Sequence, residues 1–589
     1  MIAYADGFLE NLYDQWRNAV ISVNNNTDRT LGLSNSSLAS ALTAPTNTEL
    51  PLPQNISVVS WSVQAATPLL VALTDSAARP VAEGGTKSSM MTRLNYLATI
   101  TLKSTSVGSN STVTVQRNFV RGGKSFFSYF YFGTQPMTEM HPGPPMYLTG
   151  TVYVGGNLYT AHDSLHFLQD VSFTGNHYLN FRPEDSRYGS EVPSITTGGL
   201  GDNWSLSNPP HVGQSQKLFD VPFASLDPNF RDDPISNDTD SDGNPNNDGF
   251  HEIVEEVNSS YSDVLQLDPA LTERLVATAD YRIYVNSANA VTIYKGTSTT
   301  ALLSTSADYI AINGALITNT ALYDQRQGDN VRTVSLDVGA IATAYSAAKI
   351  TDNNNNNDGL TFYIADTSYG TSVSTKLAGS SVTSSKSRAV KLTNGAKLPY
   401  NSTTGTGFTV ITPNPVYIQG DYNTGATSTV KPPSNTVTTY TPPVDTPSPV
   451  VAGYARAPAA VMGDAINILS NAWTDANSTS SGPNGSGPTA SNTTVNCALL
   501  GGTVPTTTSS YSGGTENYTR FLEDWNAKYF TVYGSLAPLY NSQQAKGTWN
   551  TARYSPPDRR WYYDNILQNN NPPGFHIART YERGTRIIR

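Results

Sequence analysis

The chain has a single cysteine, Cys497, so an internal disulfide is impossible and thiolate metal clusters are excluded. Charge is scarce too: 14% of the 589 residues are charged, against roughly a quarter in ordinary globular domains, and the net charge is -10. That balance supplies no basic face for a phosphate backbone, so no nucleic-acid partner is expected. No stretch reaches the ~20 consecutive apolar residues of a membrane span, and no secretory leader pattern is read at Met1. A Gly-x-Ser-x-Gly elbow and a phosphate-binding loop are absent as well.

The missing charge is replaced by Thr, Ser and Asn, with 45 Gly, 36 Pro and 33 Tyr, a composition suited to short strands and many turns. It also suits an extracytoplasmic surface. Residues 1–25 are the exception: Phe8, Leu9, Leu12, Tyr13, Trp16 and Val20 recur at helical spacing and predict an amphipathic helix. The pattern begins in mid-stride, so a truncated stalk is expected, with a further hydrophobic segment upstream. Residues 26–140 read as β-rich, ending in the aromatic run SFFSYFYF (125–132), which belongs in a core.

From 141 to 176 the pattern changes to β-rich triplets between Gly, Asn and Asp, as in Val152-Tyr153-Val154 and Val171-Ser172-Phe173. Strands this short bury a face only when stacked coil on coil, the logic of a parallel β-helix. Residues 177–358 are expected to form an inserted α/β or β subdomain with an Asp/Asn-rich loop. The coils are expected to resume over 359–473, where Val416-Tyr417-Ile418-Gln419-Gly420-Asp421 echoes Val152-Tyr153-Val154-Gly155-Gly156-Asn157, with a Thr/Pro-rich insert at 424–456. In 474–589 a Ser/Gly/Asn loop precedes a second predicted helix. Thr515 reads as its N-cap, and Tyr518, Phe521, Leu522 and Trp525 as its apolar face. Arg579, Arg583, Arg586 and Arg589 then read as a solvated basic tail.

Six stretches, HPGPPMYLTGTVYVGGNLY (141–159), NDGFHEIVE (247–255), ALYDQRQGDNVRTVSLDVG (321–339), GFTVITPNPVYIQGDYN (407–423), APAAVMGDAINILSNAW (457–473) and GGTENYTRFLEDW (513–525), resemble those of bacterial envelope proteins called PilX-like pilus assembly proteins. The resemblance implies a pilin-like hydrophobic N-terminal helix followed by a large extracytoplasmic β-rich body. It implies no enzymatic activity and transfers no catalytic residue.

One loop has the makings of a metal site. Asp238, Asp240 and Asp242, then Gly243 and Asn244, match the first half of a calcium loop, with carboxylates at alternate positions before a sharp turn. Position 12 is Gly249 rather than a bidentate Glu, so Asp248, Glu252 or Glu255 has to complete the shell; the bland alternative is a solvated acidic loop. The pairs Glu255/Glu256 and Glu523/Asp524 are adjacent in sequence and do not face each other as a glycosidase acid and base do; a solvated face is expected. Asp324, Arg326, Asp329 and Arg332 come nearest to the charged groove of a polysaccharide lyase. Cys497, within the apolar run VNCALL, reads as a small core residue.

These observations predict a mainly β protein, a parallel β-helix or solenoid-like body with inserted subdomains and small N- and C-terminal helices. The function expected is non-enzymatic and structural, pilus-associated or minor pilin-like, at the cell envelope or cell surface. The expected partners are other pilus or envelope proteins, with membrane contact only through an upstream helix. Two alternatives stay open, a glycan-binding adhesin and a β-helix polysaccharide lyase or hydrolase. Ca²⁺ is the one cofactor weighed.

Overall fold

Short runs rich in Val, Ile, Tyr and Phe alternate with Gly, Asn and Pro corners, and they fold into several sheets, none of them closed. The computed structural model describes residues 1–22, 40–65, 69–72, 90–106, 111–124, 126–142, 146–161, 165–167, 171–189, 212–214, 250–255, 274–352, 359–376, 382–400, 407–424, 456–480, 487–549, 554–564, 566–569, 571–575 and 578–588.

The predicted first helix spans Ile2–Ser22. Phe8, Leu9, Leu12, Tyr13 and Trp16 are buried in one cluster with Tyr96, Ile100 and Phe119 of an antiparallel sheet. That sheet orders Ile56–Ala65, Met90–Ser104, Thr112–Lys124 and Ala578–Ile588 side by side. Acidic residues of the helix are tied to the sheet by ion pairs: Arg117 reaches Glu10 and, at 3.8 Å, Asp6, while Arg586 also reaches Asp6. The basic C-terminus is therefore a strand and not a solvated tail. Its Thr, Tyr and Ile residues suit a pleated strand, and the open edge of Thr112–Lys124 offers it backbone partners.

The rest of the chain is organised by parallel pairing. In the thirteen-stranded sheet, Tyr281–Val285, Gly359–Asp366, Gly407–Ile411, Ala459–Gly463, Ala498–Thr503, Tyr529–Asn541, Tyr131–Gly133, Val152–Val154, Val171–Phe173 and Val212–Gln214 lie in that order, all parallel. A six-stranded sheet runs Leu316–Asp324, Asp329–Asp337, Ser387–Thr393, Val416–Gln419, Ile466–Leu469 and Thr519–Phe521, parallel after its first hairpin. From Ser387 to Leu469 the chain visits these two sheets alternately, one strand in each; farther on, Thr493–Val495 and Ala498–Thr503 both join the larger sheet. Parallel strands covered on both faces read as unbroken apolar runs, and Gly359–Asp366 is buried at every residue. Leu360, Phe362 and Ile364 enter one core with Val390, Ile418 and Ile468 of the six-stranded sheet. Tyr363 and Ala365 enter a second core that contains Phe127, Tyr129 and Phe132 of the aromatic run.

The short parallel strands after Tyr131 pair at offsets of 19 to 21 residues, as Tyr131 with Val152 and Met137 with Asn157. Met146 pairs with Leu165, Val152 with Val171 and Leu158 with His177, an offset of 19 residues in each of three ladders. Farther on, short corners such as 412–415 and 464–465 alternate with long excursions, so the period lapses although the pairing continues. Side-chain amides stitch successive strand segments at the corners. Asn423, buried and in the left-handed region at φ +53°, donates from Nδ2 to the carbonyls of Ala457 (2.8 Å) and Asn496 (2.6 Å). Its Oδ1 accepts from the Ala457 amide at 3.1 Å, and Asn496 Nδ2 donates back to the Asn423 carbonyl at 3.0 Å. Coils also approach over glycine: a methyl on Gly534 would lie 1.9 Å from the Cys497 carbonyl oxygen.

Three expectations change. The helix predicted at 515–525 is a single 3-10 turn, Thr515–Asn517, followed by the strand Thr519–Phe521. Pairing with Ile466–Ile468 takes up its backbone, puts Phe521 in the core between the sheets and sends Leu522 into a separate outer cluster. Tertiary pairing thus overrides the 3.6-residue spacing. At the C-terminal end the described α-helix is the short Ile566–Asn569. The echo of 152–157 at 416–421 joins segments of different sheets, so similar triplets do not mark equivalent positions. Within 177–358, expected as an insert, Tyr281–Val285 and Asp329–Asp337 are members of the two large ladders.

Replacing Asn423 by Ala removes hydrogen bonds to two coils and puts a less tolerant residue at positive φ. A loss of about 2–4 kcal/mol is expected from urea denaturation, with an unchanged slope.

Candidate functional site

Met137–Met140 and the turn after it carry Glu139 and His141 into the interior. Asp185 and Arg187 come from the turns that follow His177–Tyr178, and Tyr511 and Glu516 from the excursion between Ala498–Thr503 and Thr519–Phe521. His141 is the hub. Its Nε2 lies 2.5 Å from Glu139 Oε1, 3.2 Å from the Tyr511 hydroxyl and 3.2 Å from Arg187 Nη2. Its Nδ1 faces Glu516 Oε1 at 3.6 Å. Arg187 holds Asp185, donating from Nε to Oδ1 at 2.9 Å and from Nη2 to Oδ2 at 2.6 Å. The guanidinium also lies over the rings of Phe181 and Tyr511, 4.1 and 4.7 Å from their centroids. Glu139, His141, Asp185 and Glu516 are all buried, and one ligating atom from each of Glu139, His141 and Asp185 lies within 4.8 Å of the others.

Electrostatics sustain charge here despite burial. Burial opposes a charged His141, but Glu516 and Glu139 outweigh it and raise its pKa above the ordinary imidazole value. Burial also pushes Glu516 upward, yet His141 and the backbone amides of Glu516 and Gly514 bring it below the usual carboxylate range. Asp185 is depressed in the same way: hydrogen bonds and charge from Arg187 overcome desolvation. Beside this network an open cleft is lined by Glu139, Arg182, Arg326, Arg520, Tyr131 and Asn517. The arrangement can hold a divalent ion among its carboxylates and imidazole, and it can pin together segments more than 300 residues apart in sequence, as the 370-residue separation of His141 and Tyr511 shows.

The calcium-loop residues Asp238, Asp240, Asp242, Asn244 and Asp248 lie outside the described residues. The groove-like set at 324–332 does not converge on one point. Asp324 Oδ2 accepts from the Tyr417 hydroxyl at 2.5 Å, Asp329 Oδ2 accepts from Ser387 Oγ at 2.6 Å, and Arg326 Nε donates to the Gly547 carbonyl at 2.9 Å. Arg332, fully buried, faces Asp366 at 3.4 Å, with Arg388 on the other carboxylate oxygen at 3.6 Å. Of the pair Glu255/Glu256, only Glu255 is described. Glu523 is not on a solvated face: it is buried, and it accepts from both the amide and the hydroxyl of Ser470 at 2.6 Å. Cys497 is buried as expected, and burial pushes its thiol pKa up, away from nucleophilic use.

Glu139, His141 and Asp185 were not singled out from sequence. One local signal was available: Glu139-Met140-His141 places two ligating side chains at i and i+2, on one face of an extended segment. Nothing local connects them with Asp185 or Glu516.

No protein-family model matches the chain, and no curated protein matches it. Among solved structures, the competence-associated pilin ComZ from Thermus thermophilus is similar over 92% of this chain and 88% of its own, with 10% identity and a TM-score of 0.29. At that score the likeness carries no argument about fold or function.

Burial pushes the Glu523 carboxyl up to about 7 from the ordinary 4.5, against the lowering effect of its bonds to Ser470. The folded state therefore keeps a proton that the unfolded chain has released. This group's contribution to stability is greatest below about 4.5 and is lost as pH rises through about 7. Glu523→Gln is expected to flatten that decline and to be the more stable protein above neutral pH, by on the order of 3 kcal/mol. Urea titrations across this range check it; identical pH profiles for the two proteins would contradict the assignment.

Proposed function

We propose that the protein is a non-enzymatic structural component of the bacterial cell surface, pilus-associated or minor pilin-like, with a β-solenoid body. The coil-on-coil pairing carries this reading. Strands alternate between two parallel ladders from Ser387 to Leu469, and three parallel pairs within 146–178 share a 19-residue offset. Such a body draws its stability from neighbouring coils and makes a stiff spacer or display scaffold.

The pilus part of the proposal rests on the six quoted stretches and on the N-terminal unit. There an amphipathic helix lies on an antiparallel sheet and is held at its acidic positions by Arg117 and Arg586. A helix fixed in this way can join the body to a hydrophobic stalk. The partners proposed are other pilus or envelope proteins.

A second reading has one observation of its own. The Tyr159 and Tyr178 rings stack at 4.8 Å with an interplanar angle of 16°, and Tyr178 and the nearby Tyr188 are 39% and 53% exposed. Exposed aromatic faces beside polar groups suit sugar stacking, as an adhesin requires. A glycan array without hits would dispose of this reading.

The pilus proposal is tested by mass spectrometry of the native N-terminus, from protein recovered in the cell-envelope fraction. Residues upstream of Met1 that include a processed hydrophobic helix are the expected result. A native start at Met1 in protein confined to the cytosol would remove the pilus function.

A further inference from the structure

The His141 network has the parts of a metal site arranged in the order a metal requires. An imidazole nitrogen and two carboxylates lie on one side, all buried, with ligating atoms within 4.8 Å of one another. On the far side of the ring, Glu516 faces Nδ1 at 3.6 Å, where a carboxylate can keep the Nδ1 proton while Nε2 gives up its own to a binding metal. Asp185 is likewise held from behind, by Arg187 Nε and by the Arg187 backbone amide, both on Oδ1. Glu139 supplies an independent sign. Its Oε1 is fully buried and receives no well-directed hydrogen bond, although His141 Nε2 is 2.5 Å away. The cleft beside the network is lined by Glu139.

We propose that Glu139, His141 and Asp185 bind one divalent transition-metal ion of the Zn²⁺ class, with a water in the fourth position. Mixed imidazole and carboxylate donors suit zinc, whereas calcium prefers an all-oxygen shell. In a tetrahedral shell with bonds of about 2.1 Å, neighbouring ligand atoms stand about 3.4 Å apart. The Glu139–His141 contact at 2.5 Å therefore opens by about 1 Å, and Asp185 moves in. Arg187 Nη2 swings away from Asp185 Oδ2 and releases it to the metal. That swing also gives up the 3.0 Å bond from Nη2 to the Tyr511 hydroxyl, while the Arg187 backbone amide keeps Oδ1 at 2.8 Å. The ion would join residues 139–141 to Asp185, and it would reach the 511–516 excursion only through Glu516 behind the His141 ring.

The test uses the full chain, stripped with a chelator and titrated with Zn²⁺ by calorimetry, with metal content measured after dialysis. One zinc per chain is expected. Glu139→Gln and His141→Gln should each weaken binding at least about tenfold, and Glu516→Gln, which acts behind the ring, about 10–100-fold. His177→Gln, at a separate histidine, should change nothing. Because a variant in a buried network can fail to fold, the wild-type chain also carries the question alone. X-ray absorption at the zinc edge should show one imidazole nitrogen and otherwise oxygen ligands at about 2.0–2.2 Å. No uptake would make the network a structural ion-pair cluster only. A shell with sulfur or several imidazoles, or uptake undiminished in a folded His141→Gln protein, would place the zinc elsewhere. Each of these results overturns the proposal.

Discussion

A parallel strand has no hairpin partner nearby in sequence, so each turn of this chain has to find its backbone hydrogen bonds on the turns beside it. Most of the architecture follows from that constraint. The strands of the large ladders are covered on both faces, by the core between the sheets and by outer clusters built from Phe127, Tyr129 and Phe132 or from Leu322, Tyr417 and Trp473. Corners must pass from one ladder to the other without leaving amides unpaired. Buried polar residues do this at both kinds of corner. Asp464 takes the amides of Gln543, Gln544 and Ala545, and Asn414 accepts from Asp366, while Asn423 and Asn496 bond each other's backbone. These bonds run to other strand segments, which makes pairing register and corner chemistry mutually dependent.

Two junctions between distant parts of the chain are held by different physics. The helix Ile2–Ser22 meets its sheet through aromatic packing, including Trp16 against Tyr96 and Phe119, and the sheet is finished by the C-terminal strand. The His141 network joins 139–141, 185–187 and 511–516 through charge in a buried setting. Ionic groups so placed contribute little net stability relative to apolar packing, because desolvation offsets much of their attraction. Their value lies in discrimination: a misregistered coil would strand a buried carboxylate. That makes the network well suited to fixing how early and late coils meet.

Legibility in the sequence followed the range of each interaction. The first helix was readable because Phe8, Leu12 and Trp16 repeat at a local period. The aromatic run at 125–132 was readable as core because so much apolar surface has no other stable place in water. The stacking at 146–178 was readable as triplets, and its 19-residue offset is visible once Gly156-Asn157 is set beside Gly175-Asn176. The second helix was misread at 515–525, because Tyr518, Phe521, Leu522 and Trp525 satisfy a helical face equally well. Glu523 was misread as solvated because nothing local announces its bonds to Ser470. The His141 network was missed because its members are scattered from 139 to 516.

By itself the sequence determined that the protein is mainly β, that many of its strands are short and turn-separated, that an amphipathic helix occupies the first residues given, and that no internal disulfide forms. These properties depend on composition and on neighbours a few residues apart. Tertiary structure alone decided that the arginine-rich C-terminus is a strand, that Thr519–Phe521 joins a ladder, and that Glu139, His141, Asp185 and Glu516 share one buried space. Each of those depends on which distant coil lies alongside. Parallel pairing sets that choice through register and burial over hundreds of residues, and no local pattern encodes it.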